Sequence, residues 1–179
     1  MAKRGGDKIH NRRKELESQE FKREKETKQK IPDVIIACED RLSAPTYFRM
    51  IVERLIKEKL ITQDSFVIAN HKHTHPSGVL EDLKKHKCDN GKTCKDFDHK
   101  WIVVDRDVAR ANGGGHSKED FNLALQKARK DKVEVAYSND SFELWYLLHF
   151  EYRTTAILRD QILTEVIIKL KARNPHKFS

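Results

Sequence analysis

Four carboxylates stand where this sequence passes from apolar runs into acid, and they set the chemistry open to the chain. Asp105 and Asp107 close the stretch Trp101-Ile102-Val103-Val104-Asp105-Arg106-Asp107. In an extended segment side chains alternate, so the two aspartates project to one side and Arg106 to the other. Paired hard oxygen donors of this kind suit a divalent cation such as Mg²⁺. Glu39 ends an equivalent run, Asp33-Val34-Ile35-Ile36-Ala37-Cys38-Glu39, and Glu143 interrupts the apolar segment from Phe142 to Phe150. Each acid has a plainer reading: Asp-x-Asp is common in solvated turns, and a glutamate at a helix start compensates the helix dipole. The elements around them decide between the two.

The runs before Glu39 and Asp105 read as strands buried on both faces, the type found in parallel sheets covered by helices. Two more strands follow from Ser65-Phe66-Val67-Ile68-Ala69-Asn70 and Val133-Glu134-Val135-Ala136-Tyr137. Between them, helical stripes run from Ser43 (Tyr47, Phe48, Ile51, Val52, Leu55, Ile56), over Ser77 to His86, and from Ser117 (Phe121, Ala124, Leu125, Ala128). Ser117 with Asp120 three residues on marks the last of these starts. A helix over Phe142 to Phe150 is apolar nearly all round and therefore expected to be mostly buried. A final amphipathic helix covers Thr155 to Lys171, before a basic tail. Strands alternating with helices predict an α/β domain with a mostly parallel four-stranded sheet. In such sheets ligands bind at the strands' C-terminal ends, where Glu39, Asp105 and Asp107 all fall. Glu143 is then a fourth carboxylate beside a metal or a helix-dipole partner.

Three further clusters invite chemistry. His71, His73 and His75 alternate, which could place three imidazoles on one side of an extended segment, although such runs are usually polar loops. Cys88 and Cys94 are too widely spaced for a zinc knuckle and have no second pair. Gly91-Lys92-Thr93 mimics the end of a phosphate loop, but the first glycine of that motif falls on His86, so an ATPase is excluded. His149 is read as a packing histidine. The segment Ala109 to His116 carries Gly113-Gly114-Gly115, a loop able to close over a substrate or merely to act as a spacer.

Composition bounds the partners. The chain has 179 residues and a formal net charge of +8. Residues 1–30 hold eleven Lys/Arg against six Asp/Glu, with almost no large apolar residue. Such a segment is disordered or a solvated helix, and as a basic arm it favours a polyanion, nucleic acid before membrane. No apolar run approaches transmembrane length. Three cysteines and no hydrophobic signal segment point to the cytoplasm. The expected organisation is a basic arm over 1–30, a catalytic domain over 31–150, and a C-terminal helix with its tail over 151–179.

The segments Ile36-Ala37-Cys38-Glu39, Pro45-Thr46-Tyr47-Phe48, Phe97-Asp98-His99-Lys100-Trp101-Ile102-Val103-Val104-Asp105-Arg106-Asp107 and, most specific, Tyr137-Ser138-Asn139-Asp140-Ser141-Phe142-Glu143-Leu144-Trp145-Tyr146-Leu147-Leu148-His149-Phe150 together resemble those of RloB-like proteins. The core of that group resembles the Toprim fold of topoisomerases, primases and overcoming-lysogeny-defect nucleases. The resemblance implies Mg²⁺- or Mn²⁺-dependent phosphodiester chemistry on DNA or RNA, tRNA included. It also implies a role in bacterial anti-phage defence by abortive infection, often beside an AAA-type ATPase. By position, Glu39 is implied as general acid/base or metal ligand, and Asp105 and Asp107 as Mg²⁺ ligands. The chain departs from the family pattern in two places. Asp40 stands where glycine is usual, followed by Arg41-Leu42-Ser43-Ala44 in place of a Gly-rich, Lys-Thr-Glu-like stretch, and less chain follows the last helix than the family pattern implies.

The leading expectation is therefore a metal-dependent nuclease, hydrolytic because the chain is short for a topoisomerase. A non-catalytic sensor or adaptor with a degenerate Toprim core, binding nucleic acid or an ATPase, is the alternative that Asp40 motivates. A zinc-stapled module rests on Cys88, Cys94 and the histidines alone. Restraint of the nuclease by a partner, a ligand or self-association is expected, and the final helix offers a surface for a second copy.

Overall fold

The computed structural model describes residues 12, 14–15, 31–106, 115–139 and 141–177. Two compact units divide the chain, Met1–Ile31 and Pro32–Ser179. Of the first, Arg12, Lys14 and Glu15 are described, and they are helical; the rest of the basic arm lies outside the described residues.

The second unit is built on an open, all-parallel sheet of four strands, a Rossmann-like and Toprim-like α/β architecture. In chain order the elements are β1 (Val34–Cys38), α1 (Ser43–Lys57), β2 (Phe66–Ile68), α2 (Pro76–Lys85), β3 (His99–Asp105), α3 (Lys118–Lys130), β4 (Glu134–Ser138), α4 (Glu143–Leu148) and α5 (Arg159–Arg173). The strands lie in the order β2-β1-β3-β4. The central register pairs Val34 with His99 and Cys38 with Val103, while β4 pairs Val104 with Tyr137 and Asp105 with Ser138.

Alternation along each strand sorts side chains to two faces. Ile35, Ala37, Ile102 and Val104 pack with Val79, Leu80 and Leu83 of α2 and Phe121 and Ala128 of α3. Ile36, Cys38 and Val103 pack with Ala44, Tyr47 and Phe48 of α1 and with Phe142. Ile35 and Ile102 are fully buried, so truncating either to alanine is expected to cost about 3 kcal/mol or more through lost transfer energy and the cavity left.

Helix starts follow local chemistry. The Ser117 hydroxyl accepts from the Asp120 amide, capping α3 as its sequence predicts. The imidazole of His75 accepts from the Gly78 amide at the start of α2. A Cβ on Gly78 would lie 2.4 Å from the Cβ of His73, so only glycine fits beneath this cap.

Two expectations need correction. The segment from Phe142 to Phe150 is not mostly buried: its helix spans only Glu143–Leu148, and Trp145 and Leu148 are exposed. A helix this short has one side for the sheet, through Phe142 and Tyr146, and one for α5, through Leu147; the remaining side faces solvent. The final helix starts later and ends later than its apolar pattern suggests, at Arg159 and Arg173. It buries Ile162 and Val166 against Leu147 and leaves Leu163, Ile167 and Ile168 exposed. Arg153 and Lys169 fasten it further by bonds to Glu151 and Glu165.

Among the described residues no helix is long and apolar enough to cross a membrane.

Candidate active site

The chain reverses its winding direction between β1 and β3. From β1 it passes through α1 to β2 on one side; from β2 it returns through α2 to β3 on the other side, then continues through α3 to β4. Right-handed crossovers then require α1 on one face and α2 and α3 on the other, as found. At such a reversal the loops leaving two adjacent strands diverge to opposite faces and open a crevice at their C-terminal ends. The strands flanking this crevice are the two that end in Glu39 and Asp105.

The acids meet there through the backbone. The Glu39 amide donates to the carbonyl of Val103 at 2.9 Å, extending the ladder by one residue. The Asp105 amide donates to Oε2 of Glu39 at 2.9 Å. Oε1 of Glu39 lies 3.7 Å from Nδ1 of His116. Both side chains are largely buried, and the His116 ring stacks on Phe121, 5.8 Å between centroids at 15°. His116 follows the glycine run and precedes the cap of α3. Nothing in its local sequence marked it for the site, because only the turn into α3 brings it over the end of β1.

His71 reaches the same sheet end. Its Nδ1 lies 3.1 Å from the carbonyl oxygen of Cys38, the residue before Glu39. A carbonyl only accepts, so Nδ1 carries a proton. The ring's Nε2 is buried without a hydrogen-bond partner. The three alternating histidines do not converge. His73 is bound to the buried Asp82 at 2.7 Å, and His75 caps α2 and faces Asp120.

Glu143 is a tie between helices. Its Oε1 accepts from the Ser43 hydroxyl at 2.5 Å, and the Tyr146 hydroxyl donates to the Ser43 carbonyl at 2.8 Å, joining α4 to the start of α1. Burial alone would raise the Glu143 carboxyl. The Ser43 hydroxyl, its own backbone amide, the Ser141 hydroxyl and the Arg159 charge outweigh burial and hold it below the usual carboxylate range. Asp40 accepts from the amides of Leu42 and Ala44 at 2.8 and 3.1 Å and so caps α1. Neighbouring Cys38 is no nucleophile, since burial, with help from Asp40, pushes its thiol up to about 12.

The remaining sequence candidates settle elsewhere. Cys88 and Cys94 flank a tight exposed loop in which the Cys88 amide donates to the Lys92 carbonyl and Lys92 pairs with Asp33 at 2.7 Å. His149 is exposed and meets the Tyr47 hydroxyl at 3.0 Å. Asp107, Asp140 and the loop over 107–114, with Gly113 and Gly114, lie outside the described residues.

Among the described residues no group of three or more His, Cys, Asp or Glu is arranged to hold a metal ion. The donors are of the type a hard cation takes: Glu39 follows β1, Asp105 ends β3, and Asp107 comes two residues later in the sequence.

A family model described as RloB-like protein matches residues 34–178. No curated protein and no solved structure matches the chain.

Proposed function

The chain belongs to the RloB-like protein family, and from that premise we propose that it is a metal-dependent nuclease hydrolysing phosphodiester bonds of DNA or RNA at the crevice between β1 and β3. The observation that carries the reading is the bond from the Asp105 amide to Oε2 of Glu39, which ties the Glu39 carboxylate to the end of the strand that carries Asp105, at the topological switch point of a parallel sheet. Glu39, Asp105 and Asp107 are the residues that would hold Mg²⁺ or Mn²⁺. A cation bound there supplies charge neutralisation at the scissile phosphate and lowers the pKa of an attacking water.

The chain's own groups do the positioning. The Asp105 amide fixes the plane of the Glu39 carboxylate, and His116 stands beside its other oxygen, placed to exchange a proton with it. His71 brings a buried ring nitrogen with no hydrogen-bond partner to the same strand end. The basic arm over 1–30 supplies sequence-independent attraction for phosphates. The biological setting proposed with this chemistry is anti-phage defence in the cytoplasm, held in check by a partner such as an AAA-type ATPase. The alternative of a degenerate, non-catalytic core draws on Asp40, whose carboxylate is bonded to the Leu42 and Ala44 amides.

The test is cleavage of labelled single-stranded DNA, duplex DNA and tRNA with Mg²⁺, Mn²⁺ or EDTA. Metal-dependent cleavage is expected, reduced about a hundredfold or more in Asp105→Ala and Asp107→Ala with folding intact. Undiminished cleavage by both variants would overturn the assignment. A stoichiometric ATPase complex with no cleavage even in Mn²⁺ would favour the adaptor.

A further inference from the structure

Beside the acid crevice, on the face covered by α3, lies a cavity of about 580 Å³ whose lining includes Arg106, Lys118, Phe121, Tyr137 and Asn139. Its chemistry is unlike the aliphatic core next to it. Tyr137 sits on the edge strand β4 and is 55% exposed. Its ring is propped edge-on by Phe121, 5.8 Å between centroids at 85°, and Phe121 is in turn stacked by His116. The result is a supported aromatic ring with surface left for contact.

Two cations and two amides surround that ring. Arg106 and Lys118 contribute positive charge, and Asn122 and Asn139 contribute donors and acceptors in both directions. An aromatic platform with cations and carboxamides is the chemistry that holds a nucleotide: the ring stacks a base, the amides meet its edge, and the cations take the phosphate. A purely apolar ligand would leave Arg106 and both asparagines unused, and a bare polyanion would have no use for the exposed tyrosine.

The cavity also stands in register with the acids. Tyr137 pairs with Val104, and Ser138 pairs with Asp105 on the next row. One strand spacing and one residue rise separate the Tyr137 backbone from that of Asp105, about 6 Å. Alternation puts Arg106 on the cavity side of β3. His116, 3.7 Å from Oε1 of Glu39, also lines the cavity, so a base stacked on Tyr137 lies beside the Glu39 end of the crevice.

We propose that this cavity is a base-stacking subsite, which makes the substrate single-stranded or locally unpaired nucleic acid. A base inside a duplex is stacked on its neighbours and cannot lie on Tyr137, so a duplex must open a nucleotide before it is read. For its place beside a scissile phosphate the subsite rests on the nuclease reading; its capacity to bind a base does not.

Binding and cleavage are therefore measured separately. Fluorescence anisotropy in EDTA follows labelled oligo(dA) and oligo(A) strands of about ten nucleotides and a duplex of equal length. Single strands are expected to bind more tightly than duplex, the DNA and RNA arms showing which sugar is preferred. Tyr137→Ala is expected to weaken single-strand binding about tenfold, and Tyr137→Trp to preserve it, because stacking needs a ring and not a hydroxyl. Lys118→Ala is expected to lower the salt dependence by about one phosphate contact. Tyr137 is half exposed, so its variants keep the fold, which thermal denaturation verifies. Single-strand binding unchanged in Tyr137→Ala, or duplex bound in preference to single strands, overturns the subsite even where metal-dependent cleavage is present. Tyr137-dependent binding with no cleavage under any metal sustains the subsite and removes the nuclease reading instead.

Discussion

Asp40 shows how one side chain can be judged by its bonds. A carboxylate next to Glu39 in sequence could crowd the metal site or join it, but its oxygens are spent on the amides that open α1. Asp40→Ala is expected to lower stability by about 1 kcal/mol with cleavage unchanged, and Asp40→Asn, an equally good cap, to change neither. Cleavage lost in Asp40→Asn would instead make the charge part of the site. Glu39 and Asp105 were legible in the sequence because each ends an uncharged β-branched run, and a period of two needs no tertiary information. His116 and the buried Nε2 of His71 were not, since their positions come from a turn and a neighbouring strand far away in the chain. The bond from Glu143 to Ser43 was equally hidden, spanning a hundred residues.

At the scale of elements, the lead-in to α2 is organised by one buried acid. Asp82 accepts from the amides of Lys72 and His73 and from the His73 ring, and its side chain is 3% exposed. Burial alone would raise its carboxyl, yet these three bonds outweigh it and hold the group below the usual carboxylate range. A group whose value is depressed in the fold stabilises it above the unfolded value and loses that stabilisation as pH falls through the folded value. Stability should therefore decline below about pH 4. Asp82→Asn should lower stability by about 2 kcal/mol at neutral pH and flatten that acid limb, both read by denaturant titration across pH. Element types and order were readable from periodicity. The exposed Trp145 and Leu148 were not, because a run that is apolar all round does not reveal that its helix is too short to be enclosed.

For the whole molecule, charge and topology divide the labour. The surplus of positive charge is concentrated in residues 1–30, whereas the chemistry is assigned to the sheet. Replacing Lys22, Arg23 and Lys25 by glutamine should reduce the slope of log affinity against log salt for single strands by about two, leaving the dependence on metal unchanged. An unaltered slope would show that the arm does not touch the phosphates.

The pairing of β1 with β3 also bears on how the protein acquires its activity. Glu39 and Asp105 are 66 residues apart in the chain, and the contact between them belongs to the same ladder that closes the centre of the sheet. Closing so long a loop costs entropy before any contact repays it, which makes parallel pairing of this kind a slow step in folding. Formation of the candidate site and the slow step of folding are then one event. A nascent or partly unfolded chain would therefore lack the proposed site until this long-range pairing is made.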